Sequence, residues 1–284
     1  MFIGHLAVGF ATKRLATRAP APRRCRASWG PRVGAALLAG AALAAATAAV
    51  PQAANEPDPR AVERLAPDNE FPITLGAFAT TLIGSLPERT ENVRLAAAAL
   101  DGQVLEPGDV LSFNTAVGPR TLERGYRMAP VILRESRQLQ PGGGVCQMSS
   151  TVFVAALLSG LSIVERHRHS TPVDYIPLGE DATIAWGVKD LQVRNDLEQR
   201  VRLRAEVVGA TLAARFEGEE PLAEAYELAT EEREVPGDPG VGSLSGREVE
   251  VYRVRRSGGE ELGREYLFRD RYPPARPADR GRAR

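Results

Sequence analysis

The sequence predicts an α+β protein: a mixed or antiparallel sheet packed on a central helix that follows a Gly-rich cysteine turn, with a small β-rich C-terminal extension. Three stretches carry that expectation. Gly142, Gly143 and Gly144 lead into Val145 and Cys146, and an apolar run over 152–158 follows, closed by Ser159 and Gly160. A glycine turn, a helix of about four turns and a glycine stop account for this pattern. Residues 200–208 and 212–216 alternate in the manner of half-buried strands, and a weaker alternation returns over 249–253 and 266–268.

The remaining elements follow in chain order. Residues 1–32 carry Lys13 and six arginines with no acid, and 33–50 is an uncharged, alanine-rich run. A basic flank before such a span is expected of a secretory signal or single signal anchor, so 1–50 is assigned as leader and the chain as exported, membrane-anchored or extracytoplasmic. Cys25 precedes the apolar run, so an exported part would hold Cys146 as its one cysteine and no internal disulfide. Residues 51–70 are rich in Pro, Ala and charge and form a linker. The main domain is assigned to 71–218. Within it, 71–83 is extended and 91–100 is a short helix that ends at the Asp101–Gly102 turn. Two strands over 104–114 are joined at Pro107–Gly108, and 126–133 is a strand running towards the glycines. After the central helix, 161–170 is a strand bearing His167 and His169 on one face. Strands at 173–176 and 182–186 flank a turn at 179–181, and Trp186 and Tyr175 are read as packing residues. The charged stretch 219–246 is a solvated helix or linker. Residues 247–284 form the extension, with an Arg/Pro-rich tail expected to be disordered. No repeat is visible.

Composition narrows the function classes. Thirty-six basic side chains balance 36 acidic ones, which gives no bulk field for nucleic acid, and no nucleic-acid partner is expected. Cys146 falls at the first turn of its helix, where unpaired N–H groups and the helix dipole stabilise a thiolate. A thiol there, with histidines on the next segment, is the arrangement a cysteine nucleophile with an imidazole base requires. Backbone amides of the turn at Gly143 and Gly144, with the Gln147 side chain, would form an oxyanion hole. Arg166 would hold a substrate carboxylate by paired hydrogen bonds. Two other readings stay open: Cys146 as a small packing residue, and Cys146, His167 and His169 as metal ligands. The latter would need an Asp or Glu to close the site, so no metal and no cofactor are expected.

Several collinear pieces resemble the VanW family, named for an accessory protein of vancomycin-resistance clusters. They are Asn92; Leu105 to Gly108 with Ser112, Phe113 and Asn114; Val117–Gly118; Gly125–Tyr126; Gly142 to Gln147 with Ser149, Ser150 and Thr151; Glu165–Arg166; His169–Ser170; Gly179 with Asp181, Ala182 and Thr183; and Val251 to Arg253 with Tyr272–Pro273. The resemblance implies an exported or anchored bacterial cell-envelope protein and no settled activity. The cysteine turn also resembles the nucleophile helix of transglutaminase-like and papain-like proteins. That likeness implies His169 as base, the one in the family pattern, with Asp181 or Asp190 orienting it. The expected function is therefore a cell-envelope protein with a Cys146–His169–Asp181 acyl-transfer or hydrolase site acting on peptidoglycan peptides. The alternative is a non-catalytic wall-binding or accessory module linked to glycopeptide resistance. The expected partners are a cell-wall peptide and, through the N-terminal segment, a membrane.

Overall fold

The computed structural model describes residues 57–58, 61, 68–133, 136–236 and 245–273. The 1–50 leader, most of the 51–70 linker and the tail beyond 273 lie outside the described residues. Among those described, no helix is long and apolar enough to cross a membrane.

The elements are β1 (Ile73–Thr81), α1 (Pro87–Leu100), β2 (Val104–Leu105), β3 (Val110–Ser112), α2 (Phe113–Val117), β4 (Met128–Leu133), β5 (Ser136–Pro141), α3 (Val145–Leu158), β6 (Ser162–Glu165), β7 (Gln192–Arg194), β8 (Val201–Val208), β9 (Thr211–Gly218), β10 (Ala225–Val235), β11 (Gly246–Ser257) and β12 (Glu260–Tyr272). Strands and helices together make an α+β fold. Four antiparallel sheets are present, in the orders β1-β9-β8-β2, β10-β11-β12, β3-β7-β6 and β4-β5.

Helix α3 is buried on every side from Gln147 to Leu157. A helix with no solvent-facing stripe must lie inside the layers, and α3 packs against α1, β1, β6, β9 and β10. Its C-terminal end crosses β1 at Gly76, where a Cβ would fall 2.5 Å from the Leu158 carbonyl carbon and 2.6 Å from Ser159 N. Only glycine fits that crossing. Helix α1 starts with Pro87, whose fixed φ suits the first turn, and buries Asn92, Val93, Ala96, Ala97 and Leu100.

Three expectations are corrected. First, 219–246 is neither helix nor linker over its described part: Ala225–Val235 is a strand paired with β11 from Ala225↔Arg256 to Val235↔Gly246. Its charges suit a strand because they meet opposite charges on the neighbouring strand: Arg233 lies directly opposite Glu248, and Glu227 and Glu232 pair diagonally with Arg256 and Arg247. Second, 173–176 and 182–186 form no strand beyond one bridge, Ala185↔Lys189, because side chains of α3 take the backbone groups of Ala182. Third, the strand after α3 stops at Glu165, so both histidines lie in an irregular segment. The 51–70 stretch, where described, is also no free linker. Ala61 is buried with Ala79 and Ala213, and Asp68 pairs with Arg202 at 2.7 Å.

Candidate active site

Each glycine of the turn before Cys146 is required by a different neighbour. A Cβ on Gly143 would sit 2.5 Å from Ala129 O of β4. Gly142 (φ 82°) and Gly144 (φ 103°) hold left-handed conformations that favour glycine. Added Cβ atoms there would fall 2.6 Å from Arg120 Cβ and 2.6 Å from Arg89 Cγ respectively. The buried Asn92 on α1 pins the turn by donating to Gly143 O (3.0 Å) and Arg127 O (2.9 Å). Gly143 thus serves backbone packing, whereas Gly142 and Gly144 line a cleft of about 1860 Å³ that also contains Cys146, His169, Tyr175, Thr183 and Trp186.

Cys146 is half-buried on the second residue of α3. Its sulfur lies 3.6 Å from Thr183 Oγ1 and 3.7 Å from Ile184 O, and the His169 ring, on the same cleft, acts on its charge. His169 Nδ1 meets Asp181 Oδ2 at 2.5 Å, which leaves Nε2 for the sulfur, and the His169 amide donates to the same oxygen at 2.6 Å. Asp181 Oδ1 receives the Tyr272 hydroxyl (2.8 Å) and Arg166 Nη2 (3.2 Å). The imidazole and the carboxylate are therefore hydrogen-bonded to each other on the sulfur's side of the cleft, with Asp181 held at both oxygens.

The hydroxyls of the first turns of α3 place the Asp181 loop. Ser149 donates to Ala182 O (2.6 Å), while Ser150 donates to Cys146 O (2.8 Å) and accepts from Ala182 N (2.9 Å). Next in the loop, the Thr183 amide donates to His167 O at 2.7 Å. These contacts bring the loop to the sulfur without a strand ladder.

The electrostatics follow from the geometry. Burial pushes the Cys146 thiol up, but the hydrogen bond and charge of His169, with the Ile184 backbone and Thr183, bring it down to about 7. Burial pushes His169 down, yet its hydrogen bonds to Asp181 and Cys146 raise it to about 9. Burial would raise Asp181, but His169 and Arg166 hold it below the ordinary value. The thiol is drawn below its ordinary value and the imidazole held above its own, two shifts that both favour a thiolate–imidazolium pair.

Other sequence-predicted residues lie elsewhere. Arg166 is no carboxylate holder for a ligand. Its guanidinium is sandwiched between Phe153 and Phe268 (5.3 and 4.6 Å to the ring centroids) and bonds Asp181 and, at 2.6 Å, Asp270. It steadies the site from behind. The Gln147 side chain donates to Thr80 Oγ1 (3.0 Å) and Thr81 O (2.8 Å), and its amide to Gly144 O (2.9 Å), so it is tied to β1 and unavailable to an oxyanion. The Cys146 amide, at the second position of α3, is one of the donors a helix start leaves without an intrahelical partner. Asp190 caps α2 by accepting from Asn114 N (2.8 Å) and Ser112 Oγ (2.6 Å) and takes no part. His167 turns to Glu165 at 2.9 Å. Tyr175 packs edge-on to His169. Trp186, against expectation, is 52% exposed on the cleft wall.

Residues 88–216 match the family model described as VanW like protein. Over that stretch the chain is similar to the VanW family. Among curated proteins it is 40% identical over 138 residues to the uncharacterized protein YoaR of Bacillus subtilis, a stretch covering 49% of this chain and 46% of that protein. It is 34% identical over 112 residues to the vancomycin B-type resistance protein VanW of Enterococcus faecalis, covering 38% of this chain and 41% of that one. The chain thus matches under half the length of each relative. No solved structure matches it, so the likeness of the cysteine turn to transglutaminase-like proteins rests on local sequence alone. The matched stretch contains Cys146, His169 and Asp181, whereas Asp270 and Tyr272, which complete the support of Asp181, lie beyond it. Sequence reasoning missed Asp270, met Tyr272 only within a pattern, and passed over Arg89 and Arg120 on the cleft wall.

Proposed function

We propose that the VanW-like domain of this chain is a cysteine-dependent acyl transferase or hydrolase acting on peptide bonds of the cell wall. The observation that carries this reading is Cys146 and His169 lining one cleft large enough for a peptide, with Asp181 hydrogen-bonded to the imidazole. The Cys146 thiolate attacks a substrate carbonyl carbon, a C–S bond forms, and the π electrons move to the oxygen beside the Cys146 amide. Collapse of that intermediate breaks the C–N bond, and the His169 imidazolium gives its proton to the departing nitrogen. Water or an amine then attacks the thioester and loses a proton to His169. The C–S bond breaks and the starting pair is restored. Asp181 stays ionised throughout and keeps Nε2 aimed at the sulfur.

The name of the E. faecalis relative supports a cell-envelope setting, as does the arginine-rich flank before the apolar 33–50 run. The test is to incubate the full chain with peptidoglycan-derived peptides and map adducts by mass spectrometry. A hydroxylamine-sensitive acyl group on Cys146, absent in Cys146→Ser and Cys146→Ala, is expected. A chain that binds those peptides equally well as Cys146→Ala and never carries the adduct is instead a non-catalytic wall-binding module.

A further inference from the structure

Two guanidinium groups border the reactive sulfur. The stems of Arg89 and Arg120 lie on Gly144 and Gly142, the two ends of the glycine turn that delivers Cys146. Both are half-buried and both line the cleft. Each is backed by an aromatic ring at 5.9 Å, Tyr175 for Arg89 and Trp186 for Arg120. Their hydrogen bonds are to neutral groups: Arg89 to Ser85 Oγ (3.0 Å), Arg120 to Asn114 Oδ1 (2.8 Å) and Gly118 O (2.9 Å). Among the described residues neither forms an ion pair. The cleft also holds the carboxyls of Asp174, Glu180 and Glu227 and the ammonium of Lys189, yet none is bonded to either guanidinium. Arg166, Arg200, Arg202, Arg204 and Arg253 do meet carboxylates, whereas Arg168, which does not line the cleft, donates to the His169 carbonyl.

Half-buried guanidinium groups with free N–H donors and no carboxylate of the protein's own are suited to a ligand's carboxylate. We propose that Arg89 and Arg120 bind a substrate carboxylate, so that the acyl donor is a peptide with a free carboxylate close to the carbonyl that Cys146 attacks. This inference rests on Cys146 being the nucleophile. It moves the carboxylate-binding role expected of Arg166 to two residues on the open side of the sulfur.

Iodoacetate and iodoacetamide test it without knowledge of the natural substrate. Both transfer a two-carbon group to a thiolate: the C–S bond forms as iodide leaves. Only iodoacetate carries a carboxylate next to the electrophilic carbon. Rates at Cys146 are read by peptide mapping in the full chain, which separates it from Cys25, with a small free thiol as reference. The expected iodoacetate-to-iodoacetamide rate ratio at Cys146 exceeds that of the free thiol by about tenfold, and Arg89→Gln and Arg120→Gln each remove most of the excess. In the unmodified chain, N-acetylglycine slows iodoacetamide labelling whereas chloride at equal ionic strength does not, a measurement that stands even if a variant folds poorly. A ratio equal to the free thiol's, or one unchanged in both folded variants, overturns the carboxylate assignment and leaves the nucleophile standing. Failure of both reagents to label Cys146 defeats the nucleophile itself, and this inference with it.

Discussion

A thiol drawn down to about 7 beside an imidazole held up at about 9 suits Cys146 to the proposed role of nucleophile without a bound substrate to activate it. The pH dependence of its alkylation follows. The rate should rise with a midpoint near pH 7, well below the ordinary thiol value of 9.0. Asp181→Asn removes the carboxylate that keeps the imidazole charged and aimed, so the midpoint should move upward towards the ordinary value. Turnover of any peptide substrate should fall by about 10²-fold or more. A variant whose midpoint stays at 7 would show that Asp181 only buttresses the loop. At this scale the glycine turn, the cysteine and the histidine were legible in the sequence. A glycine turn before a cysteine and a histidine one segment later are local patterns. The roles of Gln147 and Arg166 were not legible, because side chains of this length reach partners far along the chain. Arg166 is 104 positions from Asp270 and Gln147 is 67 from Thr80.

At the scale of elements, α3 carries both the nucleophile and the hydroxyls that fasten the Asp181 loop, so its seating governs the site. That seating depends on the crossing of β1 at Gly76, where a methyl group would meet backbone rather than a yielding side chain. Gly76→Ala should therefore destabilise the fold by about 2 kcal/mol or more, read as a lower urea midpoint at unchanged slope. A variant as stable as the parent would mean that α3 shifts freely on the sheet. The helix itself was legible in its apolar run and glycine ends. The loop over 173–186 was not. Its composition allows strands, and only the competition from Ser149 and Ser150 for the Ala182 backbone decides against them. Strand β10 was misread for a related reason: a run of glutamates reads as solvated until the arginines of β11 stand opposite.

At the scale of the whole molecule, the C-terminal sheet β10-β11-β12 is part of the site. Tyr272 and Asp270 reach Asp181 and Arg166, and Gly179 leaves room for Val251, whose Cγ2 would be 2.5 Å from an added Cβ. The same region holds Glu180, 2% exposed, whose carboxyl makes no hydrogen bond among the described residues and is raised by burial from 4.5 to about 7. The folded chain keeps this proton more tightly than the unfolded one. Between pH 4.5 and 7 the folded state thus binds more protons, and stability falls as pH rises through that window. Glu180→Gln should raise stability at pH 8 by about 2–3 kcal/mol and change little at pH 4. Thermal melts at the two pH values check this, and an equal effect at both would point to packing instead of charge.

The sequence by itself determined the likeness to the VanW family and the α+β class. Those features rest on local order: turn glycines, apolar runs and motif spacing. The tertiary structure decided which carboxylate orients His169, which arginines face the cleft and which are buried behind it, and that the last strand belongs to the site. Those outcomes depend on which distant side chains compete for the same buried polar atoms, and that competition exists only once the chain has folded.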